Sequence, residues 1–145
     1  MQKTVLLCVL NWGLGHAARC VPIIEALIKN NAKVVVASDG EALHFLQKIF
    51  PDLTFEKLPP YDVSYSSDGI LWWAMAKQIP GLIKTIQEEA RITQLLIKKY
   101  RPSLIISDNR YGCRSKEIFS VFICHQLHIQ MPSPFTMLQN TLNLI

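Results

Sequence analysis

Residues 5–10 read Val-Leu-Leu-Cys-Val-Leu, an unbroken apolar run without polar alternation. Such a strand must be covered on both faces, which points to a parallel sheet with helices above and below. The run is followed at once by Asn11-Trp12-Gly13-Leu14-Gly15-His16, and a helical pattern begins at Ala17. The two glycines let the backbone turn sharply and let a ligand approach it closely. The helix that follows would point its unpaired N–H groups and positive dipole end at whatever sits there. His16 is the only side chain in the stretch that can move a proton near neutral pH.

The rest of the chain repeats the alternation. Apolar periodicity predicts a helix over 17–30, with Pro22 in its second turn if it starts near Ala18 or Arg19. A second strand over 33–37 leads through Ser38 or Asp39, either of which can cap a helix over 40–49. Residues 53–57 alternate like a short third strand, and 58–68 form a loop with Pro59-Pro60 and Tyr61. A short helical piece over 70–78 carries Trp72 and Trp73, and Pro80-Gly81 interrupts it. A long amphipathic helix then runs to Tyr100, with Ile79, Ile83, Ile86, Ala90, Thr93, Ile97 and Tyr100 on one face. Strands over 103–107 and 120–124 follow, each ending in a polar cluster: Asp108-Asn109-Arg110-Tyr111-Gly112 and His125-Gln126. This order argues for an α/β fold, a Rossmann-like doubly wound parallel sheet with helices on both faces. Ligands of such sheets bind outside the carboxyl ends of the strands, where all three polar clusters fall.

Composition narrows the partners. The formal net charge is +4, and the whole excess lies between Lys77 and Arg101. That is too little for nucleic-acid binding by charge. The plain explanation is a solvated helix face whose basic end complements the helix dipole. Contact with an anionic membrane surface is the sharper alternative. No run reaches transmembrane length and the N-terminal residues do not read as a signal peptide, so the expected location is the cytoplasm, in the sharper reading peripheral to the inner membrane face. Cys8, Cys20, Cys113 and Cys124 form no C-x-x-C pair and read as free thiols, and no metal site is expected. Trp72-Trp73 reads first as core or interdomain packing, and second as an apolar patch for a lipid-linked acceptor or a membrane.

Several readings of the glycine loop stand side by side. Gly13-Leu14-Gly15-His16-Ala17-Ala18 satisfies G-x-G-x-x-G/A, with Asp39 near where a ribose-binding acid belongs. A dinucleotide-binding domain of an NAD(P)- or FAD-dependent oxidoreductase is therefore one alternative, and a non-catalytic α/β binding module is another. Against the first, Asn11 and bulky Trp12 stand where the fingerprint wants a tight turn, and Asp39 also suits a helix N-cap. His16 can pack at the helix start, bind an anion, or act as a general base kept neutral by the helix dipole. Asp108 is the leading orienting partner for such a base. It can equally open an Asx-turn, or pair with Arg110 or Arg114.

The run from Asn11 to Pro22 resembles the N-terminal half of GT-B glycosyltransferases. It most resembles family 28, which includes the enzyme that adds N-acetylglucosamine to a lipid-linked peptidoglycan precursor. That family opens with a strand, a glycine-rich loop ending in Gly-His, and a helix with a proline a turn later. The loops 108–112 and 125–126 look like strand-end loops of bacterial glycosyltransferases. The resemblance implies inverting transfer of a sugar from a nucleotide sugar to an acceptor hydroxyl, with no protein-bound metal and no cofactor beyond that donor. It gives His16 the role of base and Asp108 that of its partner. Asn11, Gly13, Gly15, Asn109, Arg110, Tyr111 and His125 would border the substrates.

A GT-B enzyme has two such domains, and the C-terminal one holds most of the nucleotide-sugar site. Residues 1–132 are expected to form the N-terminal domain and 133–145 to begin a connecting segment. The stretch 118–145 contains no Asp, Glu, Lys or Arg, which suits either a helix docked on the domain or the edge of an interface in a longer protein. Such a chain alone is expected to be inactive.

Overall fold

The computed structural model describes residues 2–61 and 71–124, with the backbone alone over 71–78. Within them run β1 (Thr4–Val9), α1 (Leu14–Lys29), β2 (Lys33–Ser38), α2 (Gly40–Ile49), β3 (Thr54–Lys57), α3 (Leu71–Tyr100), β4 (Leu104–Asp108) and β5 (Ser120–Ile123). The strands pair in the order β3-β2-β1-β4-β5, all in parallel. This is the doubly wound parallel sheet that the alternation of elements predicts, the arrangement of a Rossmann-like GT-B half-domain.

β1 lies in the middle and explains its own composition. Val5, Leu7 and Val9 face Ala17, Cys20 and Ile24 of α1 and Ala42 and Leu46 of α2. Leu6 and Cys8 face the other way, toward Leu96 of α3 and Cys113. Both faces are covered, so neither can be polar. β2 repeats the pattern, with Val34 and Val36 on the α1 side and Val35 and Ala37 on the α3 side. Cys8, Cys20 and Cys113 are buried thiols without disulfides. A hydrogen bond with Cys113, and then burial, pushes the Cys8 thiol well up.

Pro22 lies inside a helix as expected, one turn further along than the second turn, and Pro80, expected to interrupt a helix, also lies inside one. α1 starts at Leu14 because Gly13 takes the N-cap with φ 76°, a conformation open to glycine without strain. Pro22 therefore falls in the third turn and forfeits only the bond to the Ala18 carbonyl. Buried Cys20 and Ile24 on either side hold the helix to the sheet. α3 is likewise one helix through Pro80-Gly81, not two pieces. Its apolar face also differs from the expected one. Ile79 and Ile83 are about half exposed, whereas Glu89 and Leu96 are buried beside the expected Thr93. The side chains of Trp72 and Trp73 lie outside the described residues, as do residues 62–70, His125-Gln126 and the segment 133–145. No helix among the described residues is long and apolar enough to cross a membrane.

The buried Glu89 belongs to a charge cluster centred on Arg110, which is itself fully buried. Arg110 Nε donates to the Val9 carbonyl at 3.1 Å. One terminal nitrogen donates to the Pro59 carbonyl at 2.8 Å and to Glu89 Oε1 at 2.9 Å, and the other pairs with Asp39. Glu89 also accepts from the Gly112 N–H at 3.0 Å and from the Tyr61 hydroxyl. Burial, then the Glu89 carboxylate, pushes that phenol up, so Tyr61 remains a donor. One guanidinium thus ties together the end of β1, the start of α2, the loop after β3 and the middle of α3. Arg110, expected from its place after β4 to border a substrate, is thus engaged by protein groups through Nε and both terminal nitrogens. Its donors serve the framework.

Removing one partner from a buried ion pair leaves an uncompensated charge, at a cost of about 3–5 kcal/mol. Arg110→Met should lower the free energy of unfolding in urea by that amount, and a loss under ~1 kcal/mol would show the clamp to be dispensable. Gly112 is held for space alone. A Cβ there would sit 2.4 Å from the Ile86 carbonyl oxygen and 2.5 Å from Glu89 Cβ. Gly112→Ala should therefore cost about 1–3 kcal/mol by overpacking in the same assay.

Candidate functional site

The strand order reverses direction at β1, because the chain moves outward to β2 and β3 and then crosses back to β4. β1 and β4 end side by side, with Val9 in register with Asp108. In open parallel sheets this is where the connections part and a ligand crevice forms. Two of the three polar clusters of the sequence meet there. The third, His125-Gln126, lies outside the described residues, so nothing is added about His125.

His16 is the third residue of α1 and is buried. Its Nδ1 lies 3.0 Å from Oδ2 of Asp108, the last residue of β4, whose side chain is fully covered. Asp108 has the same strand parity as Ile106, which packs on the α1 side of the sheet. The carboxylate is thus presented to α1 and not to α3. Neither Arg110 nor Arg114 pairs with it. The cation beside Asp108 is Arg19, one turn along α1 from His16. Arg19 Nε donates to Oδ2 at 3.1 Å, and a terminal nitrogen pairs with Oδ1. That same nitrogen is 2.9 Å from His16 Nδ1. The Asp108 carboxylate holds the Arg19 guanidinium above its ordinary range. Cys20 completes the group, with its Sγ 3.7 Å from Oδ2. Burial, then the Asp108 charge, pushes the Cys20 thiol up to about 12, so it stays protonated and can donate.

Spacing on the helix could have exposed Arg19 and Cys20. His16, Arg19 and Cys20 occupy i, i+3 and i+4, which is one face of α1. Glu89 was legible in the same way, since it lies on the stripe of Ile86, Thr93 and Leu96.

The other residues expected at the substrate divide sharply. Asn11 works as a helix cap from outside the helix. Asp39 holds the N-cap position of α2 but makes no side-chain capping bond, and Asn11 Oδ1 accepts the Ala42 N–H at 3.1 Å instead. Asn11 Nδ2 donates to Asp39 Oδ2 at 3.2 Å, so both ends of the amide face protein. Gly40, with φ 49°, makes room for that amide, since a Cβ there would lie 2.2 Å from Asn11 Nδ2. Asn109 turns the chain out of β4 with φ 52°, a left-handed conformation that asparagine tolerates. Its own N–H is bound to the Ile123 carbonyl at 3.1 Å. Tyr111 is exposed, with its ring 5.3 Å from that of Phe122. Among the described residues, no atom beyond the adjoining chain lies within 4 Å of the place a Cβ would take at Gly13 or Gly15, which leaves the backbone at the start of α1 open to close approach on the described side. Among the described residues no group of His, Cys, Asp and Glu is arranged to hold a metal ion.

No protein-family model matches the chain. No curated protein matches it either. Solved structures do. The glycotransferase of kitacinnamycin superposes with a TM-score of 0.58 at 15% identity, over 83% of this chain and 30% of its own length. Phytolacca americana UGT2, complexed with UDP-2fluoro-glucose and pterostilbene, gives a TM-score of 0.50 at 17% identity, over 77% of this chain and 27% of its own. The chain therefore spans under a third of the length of these two structures. At such identities the likeness is one of fold: this chain has the Rossmann-like architecture that forms one half of a GT-B glycosyltransferase.

Proposed function

We propose that the chain is the acceptor-side half of a glycosyltransferase resembling family 28, which moves a sugar from a nucleotide sugar to an acceptor hydroxyl. The observation that carries this reading is the contact of His16 Nδ1 with the buried Asp108 carboxylate at the switch point of the sheet. A carboxylate can only accept, so when Nδ1 donates to Asp108 the neutral form of the ring has its lone pair on Nε2. His16 Nε2 then takes the proton of the acceptor hydroxyl. The acceptor oxygen attacks the anomeric carbon, the bond from that carbon to the phosphate oxygen breaks, and the nucleoside diphosphate leaves. Attack opposite the leaving group inverts the anomeric centre. The open backbone at Gly13 and Gly15 lets a substrate approach the helix start, where N–H groups and dipole favour negative charge. A second domain would supply the donor site.

The dinucleotide reading fares worse on geometry. Asp39, the candidate ribose-binding acid, is engaged by Arg110 and Asn11.

In an active preparation that contains the donor-binding half, His16→Ala should lower kcat by about 10²–10⁴-fold, the usual contribution of a general base. Its urea unfolding midpoint should stay near that of the parent. An unchanged kcat removes His16 from the role of base. Titration of this chain with NADH should give no saturable binding, and micromolar affinity would restore the oxidoreductase reading.

A further inference from the structure

Arg19 touches two groups whose demands on the same atom conflict. His16 Nδ1 has one in-plane position, which holds either a proton or a lone pair. Its contact with Asp108 Oδ2, at 3.0 Å, needs the proton on Nδ1, because a carboxylate only accepts. Its contact with the Arg19 terminal nitrogen, at 2.9 Å, needs the lone pair on Nδ1, because a guanidinium only donates. The two bonds cannot exist at once. We propose that Arg19 is a positioning residue that competes with Asp108 for His16 Nδ1 and so decides which ring nitrogen carries the proton.

The rest of the geometry fits a competitor and not a bystander. Arg19 grips Asp108 through both Nε and a terminal nitrogen, in the side-on fork that guanidinium and carboxylate favour. That grip brings the terminal nitrogen up to the histidine. Cys20 donates to the same Oδ2, so this oxygen retains a hydrogen-bond donor even when Nδ1 turns to Arg19. The Asp108 side chain is fully covered, whereas that of Arg19 is 31% exposed. Arg19 is therefore the least enclosed member of the group.

This inference rests on the glycosyltransferase reading only for its consequence. With the proton on Nδ1, Nε2 can accept a hydroxyl proton. With Arg19 donating to Nδ1, the neutral ring carries its proton on Nε2 and can only donate there. Arg19 would then set the fraction of chains whose histidine is ready to act as a base.

The test reads the ring itself. The chain is labelled with 15N-histidine and its ring nitrogens are followed by NMR at about pH 9, where an imidazole is neutral. The wild-type His16 should show averaged nitrogen shifts with both tautomers populated. Arg19→Gln, and independently Arg19→Met, should raise the ratio of Nδ1–H to Nε2–H at least threefold, with the amide spectrum confirming the fold. A wild-type ring wholly in the Nδ1–H form overturns the proposal without recourse to any variant. A ratio unchanged in a folded variant overturns it too. Activity is read separately: a His16→Ala enzyme with unchanged kcat rejects the base while leaving the tautomer result standing, and the reverse outcome leaves the base without its competitor.

Discussion

The parallel pairing of β1 between β2 and β4 is the constraint on which the site depends. It brings Asp108 to α1 although the two are remote in sequence, with Val9 opposite Asp108 at the strand ends. Ile106 packs on the α1 side and Asp108 shares its parity. A slip of one residue would present Ser107 to His16 in place of Asp108. The register is protected by the same apolar residues that build the core. Ile105, which shares a face with Leu6, and Ile106, which shares the other with Leu7, would have to exchange environments if β4 moved. The hydrophobic effect thus determines which carboxylate reaches the histidine.

Two arginines stand near the ends of β1 and β4, and their surroundings give them different work. Arg110 is enclosed, and each of its nitrogens named above donates to a protein acceptor. A buried cation of that kind rigidifies its partners, since any movement leaves Glu89 or Asp39 without compensation. Arg19 pairs with an equally buried carboxylate but keeps part of its side chain in solvent. Solvent there lowers the cost of rearrangement. The clamp built on Arg110 holds the strand ends and loops in place, and the group built on Arg19 lies on that fixed base.

The fold was legible in the sequence because its signals are local. The unbroken run 5–10 requires cover on both faces, and alternation of strands with helices requires parallel crossovers. Boundaries set by tertiary packing were not legible. Pro80 looks like a helix break in isolation, yet α3 runs through it, and Pro22 forfeits a single bond while buried Cys20 and Ile24 hold α1 to the sheet. At the site, proximity of His16 and Asp108 followed from topology. The partners of Asn11 and Arg110 did not, because both residues carry the polar chemistry of ligand binding and only burial shows that protein groups use it. Asn11 illustrates the difficulty well: its amide caps a helix that begins 29 residues later in the chain.

The residues proposed for the chemistry come from the ends of regular elements and not from the loops between them. His16 sits in the first turn of α1 and Asp108 at the last position of β4. Arg19 and Cys20, which fix the carboxylate, come from the same helix as the histidine. Relative motion of His16 and Asp108 would therefore require α1 to slide on the sheet, against Ala17, Cys20 and Ile24 in the core. Close packing resists such sliding. The pair is thereby held at hydrogen-bond distance by the fold itself, which is the preorganisation that the proposed proton transfer would need. Among the described residues, the Arg19 guanidinium is partly exposed and in contact with both.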